Sequence, residues 1–333
     1  MSSTLEMGAE TKAAESGRIV SPAELCPTCS SGQVATLLSA PDRFHGRKQI
    51  YRLNRCQACG TVWLHDPPAP AEMGQHYTED YHRAIALAGE GTKSAMARWK
   101  DQVKRIASCK AGGDLLDIGC SSGGFLSTMK GPAWNLSGIE MEESTAQRAR
   151  EISGASVFVG DVMDAPFPRG SFDVITCFDV LEHVYSPRQF LGKVSEWLKP
   201  GGIYYALMPN IDSWEARLFG SHWFGLELPR HITHFSPRSL RYLMNDLEFE
   251  EVCVKTPAAS YIERSAGYVG GSVLEKMGFS PEPQAKANPK GIAERALRKG
   301  LRMTLIRPVA KIASMAGAGP YLEAVFRKPL GAR

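Results

Sequence analysis

Apolar residues recur along this chain in two rhythms. Between Ser94 and Cys109, Met96, Trp99, Val103 and Ile106 stand three and four apart, the spacing of a helix with one buried face. Beyond it, short apolar runs alternate with helical segments. The runs Asp114–Gly119, Leu136–Glu140, Val157–Val159, Phe172–Phe178, Gly202–Met208 and Phe249–Lys255 read as strands. Ser186-Pro187-Arg188-Gln189 predicts a helix start with an N-cap, Pro at the first position and a capping-box Gln, followed by the stripe Phe190, Leu191, Val194 and Leu198. Ser236-Pro237 predicts a second start, with Leu240, Leu243, Met244 and Leu247 on one face. Such alternation predicts an α/β, doubly wound fold, a parallel sheet covered on both sides.

Composition adds little: of 333 residues, 43% are hydrophobic and 22% charged, enough for one large domain and something smaller and unlike a collagen or low-complexity chain. No apolar run approaches the roughly 18 residues of a membrane-spanning helix. Residues 1–22 read as a solvated, disordered tail without the basic start and apolar stretch of a secretion signal, so a cytoplasmic protein is expected. Charge is informative once it is located. Residues 285–316 carry eight basic side chains against one acid, Glu294, a net +7 that leaves the remainder at −3 within a total of +4. A mildly acidic body argues against nucleic acid as a partner.

Four of the eight cysteines form two C-x-x-C pairs, Cys26-Pro-Thr-Cys29 and Cys56-Gln-Ala-Cys59. Four thiolates satisfy the tetrahedral preference of Zn2+ and leave no open position, so residues 23–66 are expected to be a zinc ribbon with a structural ion. The gap between the pairs is longer than usual, which strands such as Gln49–Leu53 would absorb. Two unbound thiol pairs or a redox dithiol are the alternatives. Asp66-Pro67-Pro68-Ala69-Pro70 then stiffens a linker over 67–93.

The densest chemical signal is Leu115-Leu116-Asp117-Ile118-Gly119-Cys120-Ser121-Ser122-Gly123-Gly124, a strand running into small residues at a helix start. Small residues let a ligand approach the backbone, and free N–H groups there favour an anionic group. A tight turn without a ligand has the same look. Two later acids add weight: Glu140, ending the second strand, can accept from both hydroxyls of a ribose, and Asp161, after the third strand, can accept from an adenine amino group.

These residues, with Phe172-Asp-Val174, Leu181-Glu182-His183 and Leu198-Lys-Pro-Gly-Gly202 in order, resemble the class I S-adenosylmethionine-dependent methyltransferases over roughly Lys93 to Lys255. Ser121 stands where the family's first motif normally has its middle glycine. A nicotinamide-binding enzyme would share the glycine loop but not the Leu-Glu-His block or the Lys-Pro-Gly-Gly turn. The resemblance implies a Rossmann-like seven-stranded sheet, with Tyr321–Phe326 as its final antiparallel strand, and S-adenosyl-L-methionine as cofactor. By position it implies that Asp117, Gly119, Cys120, Ser121 and Gly123 hold the methionine moiety. Glu140 would take the ribose, with Met141 against the adenine face, Asp161 and Val162 at its edge and Phe178 beside the methyl group. A four-cysteine module, a Pro-rich joint and Tyr77…Tyr81 ahead of such a core are similar to a bacterial subgroup acting on deoxysugars, polysaccharides and secondary metabolites, in which the tyrosine segment leans over the cofactor. Packing between modules is the other role open to Tyr77 and Tyr81.

The expected organisation is therefore a core at 94–257, a basic helical insertion at 258–318, and a final strand and tail at 319–333. The expected acceptor is a small molecule or glycan, methylated at oxygen more readily than at carbon. Oxygen methylation needs a base; His231 is the first choice, His183 the second and His234 the third, each with packing as its alternative. His231 and His234 lack a third ligand in the sequence that would make them a metal site. A zinc-ribbon enzyme of ribosomal RNA, or a non-catalytic zinc-ribbon binding module, are the competing readings. Cys177 reads as core rather than nucleophile. In 285–316, Leu297, Leu301, Leu305, Val309 and Ile312 recur at helical spacing between basic residues, with Pro308 interrupting. A helix packed on the sheet is expected, and peripheral contact with an anionic membrane at the inner face is its alternative.

Overall fold

The structure, a computed structural model, describes residues 25–78, 93–277 and 302–331. Two sheets organise it. The smaller is antiparallel: β1 (Val34–Pro41), β2 (Ile50–Cys56) and β3 (Val62–Leu64) lie in order, and its fourth strand, β9 (Thr233–His234), comes from far downstream. The N-terminal module is thus completed by a segment that follows most of the large sheet.

The larger sheet contains β4 (Gly113–Ile118), β5 (Trp134–Glu140), β6 (Ser156–Val159), β7 (Phe172–Phe178), β8 (Leu198–Pro209), β10 (Glu250–Lys255) and β11 (Tyr321–Arg327) in the order β10-β11-β8-β7-β4-β5-β6. β11 runs antiparallel to both neighbours; β8, β7, β4, β5 and β6 are parallel. Strand order reverses between β4 and β7, which opens a crevice at the carboxyl ends of the strands.

Alternation along the strands makes two cores. On β8, Tyr204, Ala206 and Met208 face one layer with Phe190, Leu191 and Val194, while Ile203, Tyr205 and Leu207 face the other with Ile106 and Phe125. Each fully buried Leu, Ile, Val, Phe or Met among them contributes about 1.5–3 kcal/mol. At the opposite edge from the crevice, Lys199 Nζ donates to Asp114 Oδ2 (2.7 Å) and Asp173 Oδ2 (2.6 Å), tying the starts of β4, β7 and β8.

The helix predicted from Ser186 spans Pro187–Trp197, but Ser186 makes no side-chain cap, its backbone being turned out of capping geometry. Leu198, expected at the end of that helical stripe, instead begins β8. Ser236 does cap Pro237–Asp246: it accepts from Ser239 N, and Ser239 returns a bond from Ser236 N. Pro308 does not separate two helices: a π-helical segment Arg302–Ile306 runs directly into the α-helix Arg307–Met315, and Pro308 stands where the helix type changes. Ile306 and Ala310 pack inward there, while Leu305, Ile312 and Met315 are exposed. The basic stretch between residues 285 and 301 lies outside the described residues. Among those described, no helix is long and apolar enough to cross a membrane.

Between β4 and β7 the sheet buries a carboxylate, Asp117, whose Oδ1 accepts from Thr176 Oγ1 at 2.6 Å. Burial pushes this carboxyl up to about 7, and neighbouring Glu140 adds to the rise. The folded chain therefore holds a proton that the unfolded chain releases. Stability contributed in this way is complete below the unfolded value near 3.8 and falls as pH rises to about 7. Asp117→Asn should keep the Thr176 bond, flatten the dependence between pH 5 and 7.5, and gain stability at pH 8 by on the order of 3 kcal/mol in chemical denaturation. A parallel pH dependence in variant and wild type would show that Asp117 is ionised throughout.

Candidate functional site

At the crevice, β4 runs into the loop 119–123, with Gly119 at φ +72°, Ser121 at +47° and Gly123 at +82°. A Cβ on Gly119 would lie 2.4 Å from Val180 Cγ2, and one on Gly123 would lie 2.9 Å from Ala149 Cα, so both positions need bare backbone. Ser121 takes the left-handed conformation with a side chain, at a cost of roughly 1–2 kcal/mol.

Hydrogen bonds join this loop to both later acids. Gly119 N and Cys120 N donate to Ile139 O at 2.9 and 3.0 Å, and Ser121 N donates to Glu140 Oε2 at 3.0 Å. Glu140 Oε1 accepts from Met141 N (2.8 Å) and Glu142 N (3.2 Å), and Glu140 O accepts from Gly160 N at 3.0 Å, beside Asp161. Asp161 is exposed and accepts from Met163 N at 2.8 Å; Val162 is half-buried and Met141 exposed. The rim thus presents bare backbone, two carboxylates on adjacent strand ends and an exposed thioether, a donor and acceptor set that suits an adenosyl group with an amino-acid tail.

Behind the rim, Cys120 is buried and its thiol is pushed up by burial; a Cβ on Gly138 would come within 2.6 Å of its Sγ. Phe178 stacks on Trp99 with centroids 5.6 Å apart and meets Phe125 and Tyr205 edge-on, which places it in the wall. Tyr81 lies outside the described residues.

The three histidines gather beyond β7 and β8. The His183 and His231 rings are 4.7 Å apart, and those of His231 and His234 6.1 Å. His231 Nδ1 donates to Gly225 O at 3.0 Å, and its Nε2 lies 3.7 Å from Glu227 Oε2. His183 Nδ1 stands 3.0 Å from both Arg230 O and Tyr77 Oη. Burial lowers all three, His234 to about 3. The backbone of His234 pairs with Val62, so this residue also belongs to the small sheet. Trp223 and Phe224 are buried in apolar clusters.

Sequence reasoning passed over the charged residues behind this cluster. Arg230 is 0% exposed; its Nη1 stands 3.2 Å from His45 Nδ1, 3.3 Å from His76 O and 3.8 Å from the buried Asp42 Oδ2, and its guanidinium lies over Phe44. Glu182, the middle residue of the Leu-Glu-His block, is 2% exposed, and both carboxylate oxygens are buried with no hydrogen-bond partner. The adjacent signals were Pro229-Arg230-His231 and Leu181-Glu182-His183.

In the N-terminal module the four sulfurs of Cys26, Cys29, Cys56 and Cys59 lie within 4.8 Å of one another. Cys26 and Cys59 are 3.5 Å apart, as are Cys29 and Cys56. The hydrogen bond from Cys26 holds the Cys59 thiol down to about 4. Four convergent sulfurs are the donor set of a closed tetrahedral metal site. A separate cavity of about 450 Å³, lined by Leu38, Arg55, Ile211 and Trp223, lies on the small-sheet side, away from the glycine loop.

Residues 92–254 match a family described as a methyltransferase domain. Over 135 residues the chain is 29% identical to a probable S-adenosylmethionine-dependent methyltransferase of Mycolicibacterium smegmatis, covering 38% of this chain and 52% of that protein. Over 141 residues it is 33% identical to a ubiquinone biosynthesis O-methyltransferase of Thiobacillus denitrificans, covering 40% of this chain and 59% of that one. The chain thus spans between half and two thirds of the length of these relatives. The fold is shared with a phosphoethanolamine N-methyltransferase of Haemonchus contortus (TM-score 0.52, 16% identity, 80% of this chain and 62% of that one). Residues 92–254 thus match a methyltransferase domain, and the relatives they resemble include S-adenosylmethionine-dependent and O-methyltransferases.

Proposed function

We propose that this chain transfers the methyl group of S-adenosyl-L-methionine to a hydroxyl of a small-molecule, saccharide or secondary-metabolite acceptor, with a buried histidine as base. The observation that carries the cofactor half is the set of hydrogen bonds joining the glycine loop, Glu140 and the Gly160-Asp161 turn into one rim. The similarity to O-methyltransferases supports oxygen as the target.

The cofactor, when bound, supplies an activated electrophilic methyl group. Asp117 and the loop 119–123 would hold its amino-acid end, Glu140 the ribose, and Asp161 with Val162 the adenine, with Met141 covering one face. Orientation is then the main task left to the protein. His231 is the proposed base. Its Nδ1 proton is fixed on Gly225 O, so Nε2 carries the lone pair, and the Glu227 carboxylate at 3.7 Å would stabilise the imidazolium formed. His183, oriented by Arg230 O and Tyr77, would stand beside the acceptor oxygen. His234, held in β9, would support His231 through packing. Nucleic acid is a poor acceptor for a body whose charge outside 285–316 is −3.

In the same reading the four cysteines hold one structural Zn2+. The ion would fix the two knuckles of a sheet too small to be stable through its own apolar core. This module would act as a support, since its sulfurs leave no open coordination position.

Three outcomes test these assignments. Glu140→Ala should weaken cofactor binding by about 1–3 kcal/mol in calorimetry, through loss of charge-assisted hydrogen bonds; wild-type affinity would show that the ribose lies elsewhere. In a deletion strain, mass spectrometry should find an acceptor lacking one methyl group. Wild-type protein should restore that group, and a His231→Asn protein that still binds cofactor should not; restoration by the variant would remove His231 as base. Purified protein should carry zinc, and the Cys26→Ser/Cys29→Ser double variant should lose one equivalent per chain together with several degrees of Tm. Unchanged zinc content in that variant would refute the four-thiolate site.

A further inference from the structure

The histidine pair has a third member that the methyl-transfer reading leaves idle. One ligand atom from each of Glu182, His183 and His231 lies within 4.8 Å of the other two. Sequence alone offered His231 and His234 as a pair without a third ligand. Folding instead brings His231 against Glu182-His183, in the short turn Leu181–His183 that follows β7.

Three features make this a built site. First, Glu182 is 2% exposed and neither of its carboxylate oxygens has a hydrogen-bond partner. An isolated buried carboxylate is costly, and a cation is the partner that offsets the cost most fully. Second, each imidazole donates its Nδ1 proton to a backbone carbonyl, His231 to Gly225 O and His183 to Arg230 O, both at 3.0 Å. Metal-binding histidines are oriented in this way: the bond fixes the tautomer and the ring plane and leaves Nε2 as the lone pair. Third, the ligands sit on different elements that are locked together, because Ile232 N donates to Glu182 O at 2.8 Å.

We infer that Glu182, His183 and His231 bind one divalent first-row transition-metal ion. Two imidazoles and a carboxylate suit zinc, cobalt, iron or manganese rather than calcium or magnesium, which take oxygen ligands. Three protein ligands leave at least one coordination position open. Metal and proton compete for the same lone pair on His231. Occupancy of this site and the base role proposed above therefore exclude one another, and the ion is a candidate inhibitor of transfer.

The inference stands on binding, so it can fail without touching the methyl-transfer reading. Zinc-loaded full-length protein, with its cysteine site filled, is titrated with Co2+ in the absence of cofactor and followed by visible absorption. One equivalent should bind with the d–d bands of nitrogen and oxygen ligands and without thiolate charge transfer. Glu182→Gln, which keeps the side-chain volume, should weaken Co2+ binding at least tenfold while S-adenosylmethionine affinity stays at the wild-type value. His231→Asn should do the same. Absence of d–d bands in the wild-type protein at millimolar Co2+ would overturn the inference whatever the variants do. Equal Co2+ affinity in a folded Glu182→Gln protein, judged by its circular dichroism, would overturn it as well.

Discussion

The carboxylate of Glu140 collects three backbone N–H groups, from Ser121, Met141 and Glu142. That single fan of bonds fastens the loop after β4 to the end of β5, and the carbonyl of the same residue fastens β5 to the turn after β6. The remainder of the rim follows from it. Gly119 and Gly123 must lack side chains because the loop, so fastened, lies against Val180 and Ala149. Gly138 must lack one because the loop turns Cys120 inward beneath β5. Glu140 is partly exposed, so its bonds can be exchanged for ligand hydroxyls without stranding a buried charge.

A second constraint joins the two sheets. The small sheet takes β9 from the segment after β8, and Arg230, just before β9, sends its guanidinium into the small-sheet side among Asp42, His45 and His76. The carbonyl of the same residue fixes His183. Burying these charges does not by itself add stability, because desolvation offsets most of the attraction. What the arrangement supplies is one geometry: Arg230, with the β3–β9 pairing and the bonds from Arg188 to Thr28 O and from Arg238 to Ala58 O, places the cysteine-bearing module relative to the histidine cluster.

Much of the large sheet was legible in the sequence because its determinants are local. Phe172–Phe178 is a short, nearly continuous apolar run, as a strand covered on both faces requires, and its observed limits coincide with the predicted run. Tyr321–Phe326 was readable as a final strand, and it lies antiparallel between β8 and β10. The Ser186 cap failed because the chain arrives from His183–Tyr185, held by tertiary contacts that override a preference worth about 1 kcal/mol. The two-residue strand β9 carries no periodicity of its own and is defined by its partner. The convergence of Glu182 and His183 with His231, like the burial of Arg230 against Asp42, joins residues far apart in sequence, so no local pattern announces it. The glycine loop and its acids were legible because each closes a strand, and the topology of a doubly wound sheet then places them side by side.

Methyl transfer as proposed needs one adenosyl-sulfonium pocket at that rim, and amide hydrogen exchange reads it directly. Addition of S-adenosylmethionine should slow exchange together at residues 119–123, 140–142 and 161–163, the three backbone segments that meet at Glu140. Protection at only one of these segments, or protection elsewhere with all three unchanged, would contradict a shared pocket.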